Sequence, residues 1–129
     1  MPRYVDGFVI PIRKTKLKEY KRIAAAAGKI WMKYGALEYV ECSGQDLNVK
    51  MGLPFTRLAK TKPGETVVFS YIVYKSRKHR DSVNKKVMAD PKVHEICPDP
   101  KDMPFPMNKM AYGGFNAMVD LTAKKKRRK

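Results

Sequence analysis

The chain has 129 residues, 43% of them hydrophobic and 31% charged, with a formal net charge of +16. That is the length of one core and the composition of a folded protein, which argues against two domains and against disorder. No stretch approaches the roughly 20 apolar residues of a membrane helix, the start MPRYVDGFVIPIRK lacks a signal-peptide pattern, and Cys42 and Cys97 make neither a disulfide framework nor a metal quartet. The expectation is a cytosolic protein with reduced thiols, no metal and no cofactor.

Residues 4–12 read as a strand, rich in Val, Ile, Phe and Tyr, with Pro11 near its end. Thr15 is the expected N-cap of a helix whose apolar stripe is Leu17, Tyr20, Ala24, Ala27, Trp31 and Tyr34, opposite a lysine-rich face. Gly35 stands where a left-handed helix cap is usual. Residues 36–42 form a second strand, with Tyr39 and Glu41 on one face and Val40 and Cys42 on the other. A long connection from Ser43 to Gly64 follows, and because it holds Leu53-Pro54-Phe55, part of it is expected to pack. Residues 66–74, TVVFSYIVY, are apolar on both faces, as in a central strand covered on both sides. Ser76 caps a helix that ends at Asp90-Pro91, with Met88 expected to face inward. Residues 91–109 hold five of the nine prolines and read as irregular. Residues 110–121 make the last strand, whose paired Gly113 and Gly114 suggest a bulge or a close approach by something bulky.

The order strand, helix, strand, strand, helix, strand is the split βαβ, ferredoxin-like βαββαβ arrangement, an α+β fold with a four-stranded antiparallel sheet. Helices cover one face. The other face is apolar too, at Phe69 and Tyr71, so the expectation is a homodimer in which two sheets face each other as a dimeric α+β barrel. The single domain spans 1–123, and 124–129, KKKRRK, is a disordered basic tail. Six of the charges sit in that tail, so the body keeps a surplus of +10. Such a surplus implies weak, salt-sensitive binding to polyanions such as RNA. The aromatic and basic strand motif of RNA-recognition modules is absent, so the charge-driven partner is the alternative reading.

Several residues could carry chemistry, and each has a plain structural reading beside the functional one. Asp6 and Glu41 are carboxylates in apolar strands. On a covered face each has a raised pKa and could act as acid or base, or is paired with Arg or Lys across the dimer interface. His79, in the first turn of the second helix, is either a neutral base or packed on the stripe of Val83 and Val87. Arg80 and Asn84 share a face at i and i+4 and could hold a carboxylate or carbonyl, or serve loop contacts. Tyr39, Tyr71 and Tyr74 either line a substrate pocket or fill core.

The segments YVDGFVIPI, GALEYVEC, PGETVVFSYIVYKSRKHRDSVNKKVMADP and DPKDMPFPMNKMAYGGF resemble the YbaA-like family of small bacterial proteins of unknown function. The resemblance spans essentially residues 3–121 and implies the dimeric α+β barrel superfamily. That superfamily includes cofactor-independent monooxygenases, haem-degrading enzymes and members with no known reaction, so it implies a scaffold and not an activity. The combined expectation is a homodimer holding an unknown small molecule, partly aromatic or carbonyl-bearing. Its chemistry is monooxygenase-like or acid–base if it is an enzyme.

Overall fold

The computed structural model describes residues 2–123; the tail expected at 124–129 lies outside them. Strands β1 (Tyr4–Arg13), β2 (Glu38–Ser43), β3 (Glu65–Tyr74) and β4 (Ala111–Asn116) form one sheet in the order β2-β3-β1-β4. Every neighbouring pair is antiparallel, with Asp6 opposite Ile72 on β3 and Gly114 on β4. Helix α1 (Leu17–Lys33) follows β1. After β2 come the short α2 (Phe55–Leu58), then β3, α3 (Arg77–Ala89) and α4 (Pro91–Ile96). This is the ferredoxin-like α+β order expected above.

One sheet face is buried under the helices. Tyr4, Ile72 and Tyr74 pack with Ile30 of α1 and with Val83 and Val87 of α3. Ile10, Ile12 and Val68 pack with Tyr20 and Ala24 of α1 and with Phe105. The strand alternation puts Val5, Gly7, Phe69, Tyr71 and Phe115 on the opposite face, where they border an open groove.

Local chemistry explains most element ends. Ser76 accepts a hydrogen bond from the His79 N–H and starts α3. Gly35, at φ +109°, closes α1. Asp90 ends α3 as expected, but its side chain then accepts from the Lys92 N–H, and Pro91 opens α4. The proline that stops one helix starts the next, so residues 91–96 are not irregular. Thr15 is not a cap: a 3-10 turn at Lys14–Lys16 leads into α1, and no side chain caps it. Met88 points outward, 53% exposed, because the buried stripe of α3 runs through Val83 and Val87 instead. Part of the β2–β3 connection packs as expected, with the Phe55 ring edge-on to Phe69 at 6.1 Å, while Leu53 stays exposed. β4 stops at Asn116, and its pairing with β1 runs without a bulge. The reason for Gly114 is the alternative given above, close approach: a Cβ there would press into the Tyr4 ring.

Candidate functional site

The helix–sheet layer holds two polar clusters. The first lies between α1 and β2. Glu41 accepts a hydrogen bond from the Tyr20 hydroxyl at 2.7 Å and from the Tyr39 hydroxyl at 3.0 Å. The spacing is a consequence of the strand: Tyr39 and Glu41 are two residues apart and share a face, and Tyr20 reaches over from the apolar stripe of α1. Burial, then the nearby Glu41 carboxylate, push both phenols far above the usual tyrosine range, so they remain donors.

Two cavities meet at this carboxylate. A cleft of about 500 Å³ runs between α1 and β2, lined among others by Leu17, Lys21, Ala24, Tyr39 and Glu41. An inner cavity of about 210 Å³ continues beneath α1, bounded by Phe8, Ala27, Trp31, Tyr39, Glu41 and Phe105. Small residues make the room. Ala24 to Gly28 run along the helix here, and a Cβ on Gly28 would come within 2.6 Å of the Tyr39 ring.

The second cluster surrounds Asp6, the third residue of β1 and only 2% exposed. Arg80 of α3 places Nη1 3.6 Å from Asp6 Oδ1 and 2.9 Å from the Tyr112 hydroxyl. Its other end donates to the Tyr4 hydroxyl at 3.3 Å, and its guanidinium lies over the Tyr4 ring. Burial raises the Asp6 pKa, and Arg80, Tyr112 and Asn84 offset this only in part. Asn84, one turn after Arg80, accepts at Oδ1 from the Trp31 indole at 3.1 Å and from the Tyr74 hydroxyl at 3.2 Å. Trp31 therefore joins the clusters: its nitrogen is bound to Asn84, and its ring, 6.1 Å from that of Tyr39, walls the inner cavity.

The structure thus brings Asp6, Arg80 and Asn84 together and holds Glu41 at a separate point of the same layer. The partner of Asp6 is Arg80 of its own chain and not a basic residue across a dimer interface, because Asp6 faces the helices. His79 joins neither cluster. Its Nδ1 accepts the Lys75 N–H at 2.9 Å, and its ring packs edge-on against Tyr74. Burial, then Lys75 and Lys86, lower its pKa, which keeps the ring neutral. Of the expected pocket tyrosines, Tyr39 and Tyr71 border the inner cavity. Tyr74 is fully buried core, and the Tyr71 side chain stands beside Phe69 on the open face. Sequence reading missed Tyr20 and the small-residue run of α1. The run AAAAG was a visible signal, since four alanines and a glycine cannot fill the space beside a sheet. Among the described residues no three His, Cys, Asp or Glu side chains come together as a metal ion would need.

The family model described as "Protein of unknown function (DUF1428)" matches residues 3–107. The chain belongs to the DUF1428 family. Within the curated proteins, the uncharacterized protein YbaA of Escherichia coli strain K12 is 38% identical over 118 residues, which is 92% of this chain and 98% of that protein. Among solved structures, the DUF1428 chain is similar to an uncharacterized NIPSNAP domain protein from Burkholderia xenovorans. The TM-score is 0.57 at 16% identity, over 93% of this chain and 99% of the other. A nipsnap family protein of unknown function from Agrobacterium tumefaciens gives 0.56 at 12% identity, over 90% and 88%. A dimeric ferredoxin-like protein from an uncultured marine organism gives 0.50 at 9% identity, over 95% and 100%. These likenesses show the fold. No helix among the described residues is long and apolar enough to cross a membrane.

Proposed function

We propose that this DUF1428 protein is a homodimer that binds a small, partly aromatic, carbonyl- or hydroxyl-bearing molecule in the cleft between α1 and the sheet, with Glu41 exchanging a proton with it. The observation that carries this reading is the Glu41 carboxylate, fixed by two phenols at the wall of a mainly apolar cavity. Ligand sites combine an apolar lining with a few fixed polar groups. A carboxylate with two oxygens and about four acceptor positions has room for a ligand donor after two are taken. Tyr20 and Tyr39 would orient Glu41, and Trp31 and Phe8 would supply flat surfaces for a ring. Asn84 would set the position of Trp31 from behind. His79 acts as a helix-start contact in this reading and takes no chemical role. The dimer is supported by the apolar open face and by the dimeric solved relative.

Native mass spectrometry of gently purified protein, followed by titration of the candidate adduct while Trp31 emission is read, tests the reading. Trp31 is the only tryptophan, so the emission comes from a residue that walls this cavity. Binding should quench or shift Trp31. It should be lost in Ala24→Leu, which fills the cleft, and turnover should be lost in Glu41→Gln. Binding that survives Ala24→Leu unchanged places the ligand elsewhere.

A second reading has its own observation. The outer faces of α1 and α3 expose Lys18, Lys21, Arg22, Lys29, Lys85 and Lys86. A polyanion would associate there by charge, and its affinity should fall steeply between low and moderate salt.

A further inference from the structure

Ser70 carries a buried hydroxyl beside the Glu41 cluster. It lies on β3, only 4% exposed, and borders the inner cavity together with Glu41 and Phe8. The strand register sets the three in one row across the sheet. Ser70 stands opposite Glu41 of β2 on one side and opposite Phe8 of β1 on the other. Adjacent strands are about 4.8 Å apart, and residues directly opposite each other hold their Cβ atoms about 5 Å apart. The row ends on β4 at Tyr112, whose ring stacks on that of Phe8 at 4.9 Å. Along one line, the floor of the cavity therefore changes from a carboxylate to a hydroxyl to an aromatic ring.

Hydrogen bonding at the polar end of this row leaves two acceptors side by side. The Glu41 carboxylate offers lone pairs only, and the Tyr20 and Tyr39 hydroxyls take one position on each of its oxygens. Burial and then Glu41 raise the Tyr20 pKa, and hydrogen bonding with Ser70 opposes them. Because Tyr20 gives its own proton to Glu41, Ser70 is the donor in that contact. A hydroxyl has one proton, so Ser70 presents lone pairs to the cavity. The space beside the two acceptors has the size of one ring. A cavity of about 150 Å³ holds benzene, so about 210 Å³ takes a six-membered ring with small substituents. Trp31 walls that space, and Met103 and Met110 line it with thioethers, which make favourable contacts with ring edges.

We infer that the ligand is a single-ring compound with two hydroxyls along one edge, an ortho or meta diol of the catechol or resorcinol type, and that Ser70 selects the second hydroxyl. One hydroxyl donates to Glu41, the other donates to Ser70, and the ring lies toward Phe8. The inference rests on the Glu41 cleft proposed above and deepens it by naming the class of molecule. A para diol carries its hydroxyls at opposite ends of the ring, so only one of them reaches the polar end of the row.

The test is isothermal titration calorimetry of the full chain, under nitrogen, with phenol, catechol, resorcinol and hydroquinone. Catechol and resorcinol should bind about tenfold more tightly than phenol, the gain of one further hydrogen bond, and hydroquinone should stay close to phenol. Ser70→Ala should bring catechol and resorcinol down to the phenol value and leave phenol itself within about twofold. Equal affinity for all four compounds, or a catechol advantage that survives Ser70→Ala, overturns the selection by Ser70 and leaves the Glu41 cleft standing. A loss in Ser70→Ala that is as large for phenol as for catechol makes Ser70 a structural support and also overturns the selection. Binding by none of the four, or binding unchanged in Ala24→Leu, overturns the ring-sized cavity on which both readings stand.

Discussion

Arg80 on α3 and Asp6 near the start of β1 face each other across the helix–sheet boundary, with Nη1 3.6 Å from Oδ1. Asp6 is almost fully buried, so removing Arg80 strands its carboxyl, at about 3 kcal/mol, whereas Arg80 without Asp6 keeps Asp81, 3.1 Å from its Nε. Arg80→Met should therefore destabilise strongly, and Asp6→Asn with Arg80→Met should cost less than the two changes summed. Chemical denaturation of the four proteins checks this. An additive cycle would mean that the two groups do not interact.

The same carboxyl sets a pH dependence. Burial raises its pKa in the fold, so the folded chain holds that proton more tightly than the unfolded one. Its favourable contribution is present below the unfolded value near 4 and is lost as pH rises through the folded pKa. The stability of the wild type relative to Asp6→Asn should fall as pH rises from about 4 upward. A relative stability that climbs over that range contradicts the raised pKa.

Asn84 accepts from both Trp31 and Tyr74. Asn84→Leu leaves two partly buried donors without an acceptor, at about 1–3 kcal/mol each. The variant should unfold at lower denaturant, and its Trp31 emission should change in the folded state. Unaltered emission would place Trp31 independently of Asn84.

The phenol clamp on Glu41 can be taken apart one bond at a time. Tyr20→Phe and Tyr39→Phe each remove a hydrogen bond to a carboxylate, worth about 1.5 kcal/mol, and keep the ring. Because each remaining phenol still holds one oxygen, the double variant should lose more ligand affinity than either single one, read as Trp31 quenching at a fixed ligand concentration. Equal affinity in all three would remove orientation of Glu41 from the binding step.

Gly28→Ala sets two effects against each other. Alanine in a helix interior gains about 1 kcal/mol over glycine. The new Cβ would sit 2.6 Å from the Tyr39 ring, and overpacking of that kind costs about 1–3 kcal/mol. The clash should win, so the variant should be less stable, with a displaced Tyr39 and weaker ligand binding. A more stable protein would mean that the ring moves freely.

Much of the fold was legible in the order of patterns. Residues 66–74 read as a central strand because both faces are apolar, and β3 is the inner strand between β2 and β1. Ser76 and Gly35 bound their helices because capping is a local event, settled by one side chain or one backbone angle. The Asp90-Pro91 pair shows the edge of that legibility: the residues that end α3 also begin α4, and only the space beside α1 decides that the chain turns back into a helix. The site was half legible. Arg80 and Asn84 could be placed on one helix face from their spacing, and Glu41 beside Tyr39 from strand alternation. Tyr20 could not be joined to them, since 21 residues separate it from Glu41.

The sequence alone determined what depends on neighbours along the chain: the four strands and two main helices, most of their caps, the antiparallel α+β order, the basic surplus and the kinship with the DUF1428 family. Tertiary structure decided which face each charged side chain meets. It turned Asp6 toward Arg80 of its own chain and set the Tyr71 ring beside Phe69 on the open face. It also brought Tyr20 onto Glu41, and made His79 a helix-start contact. The physical reason is that a side chain's partner across a sheet or under a helix is fixed by strand order and helix placement. These depend on how the whole core fills, and no local spacing encodes them.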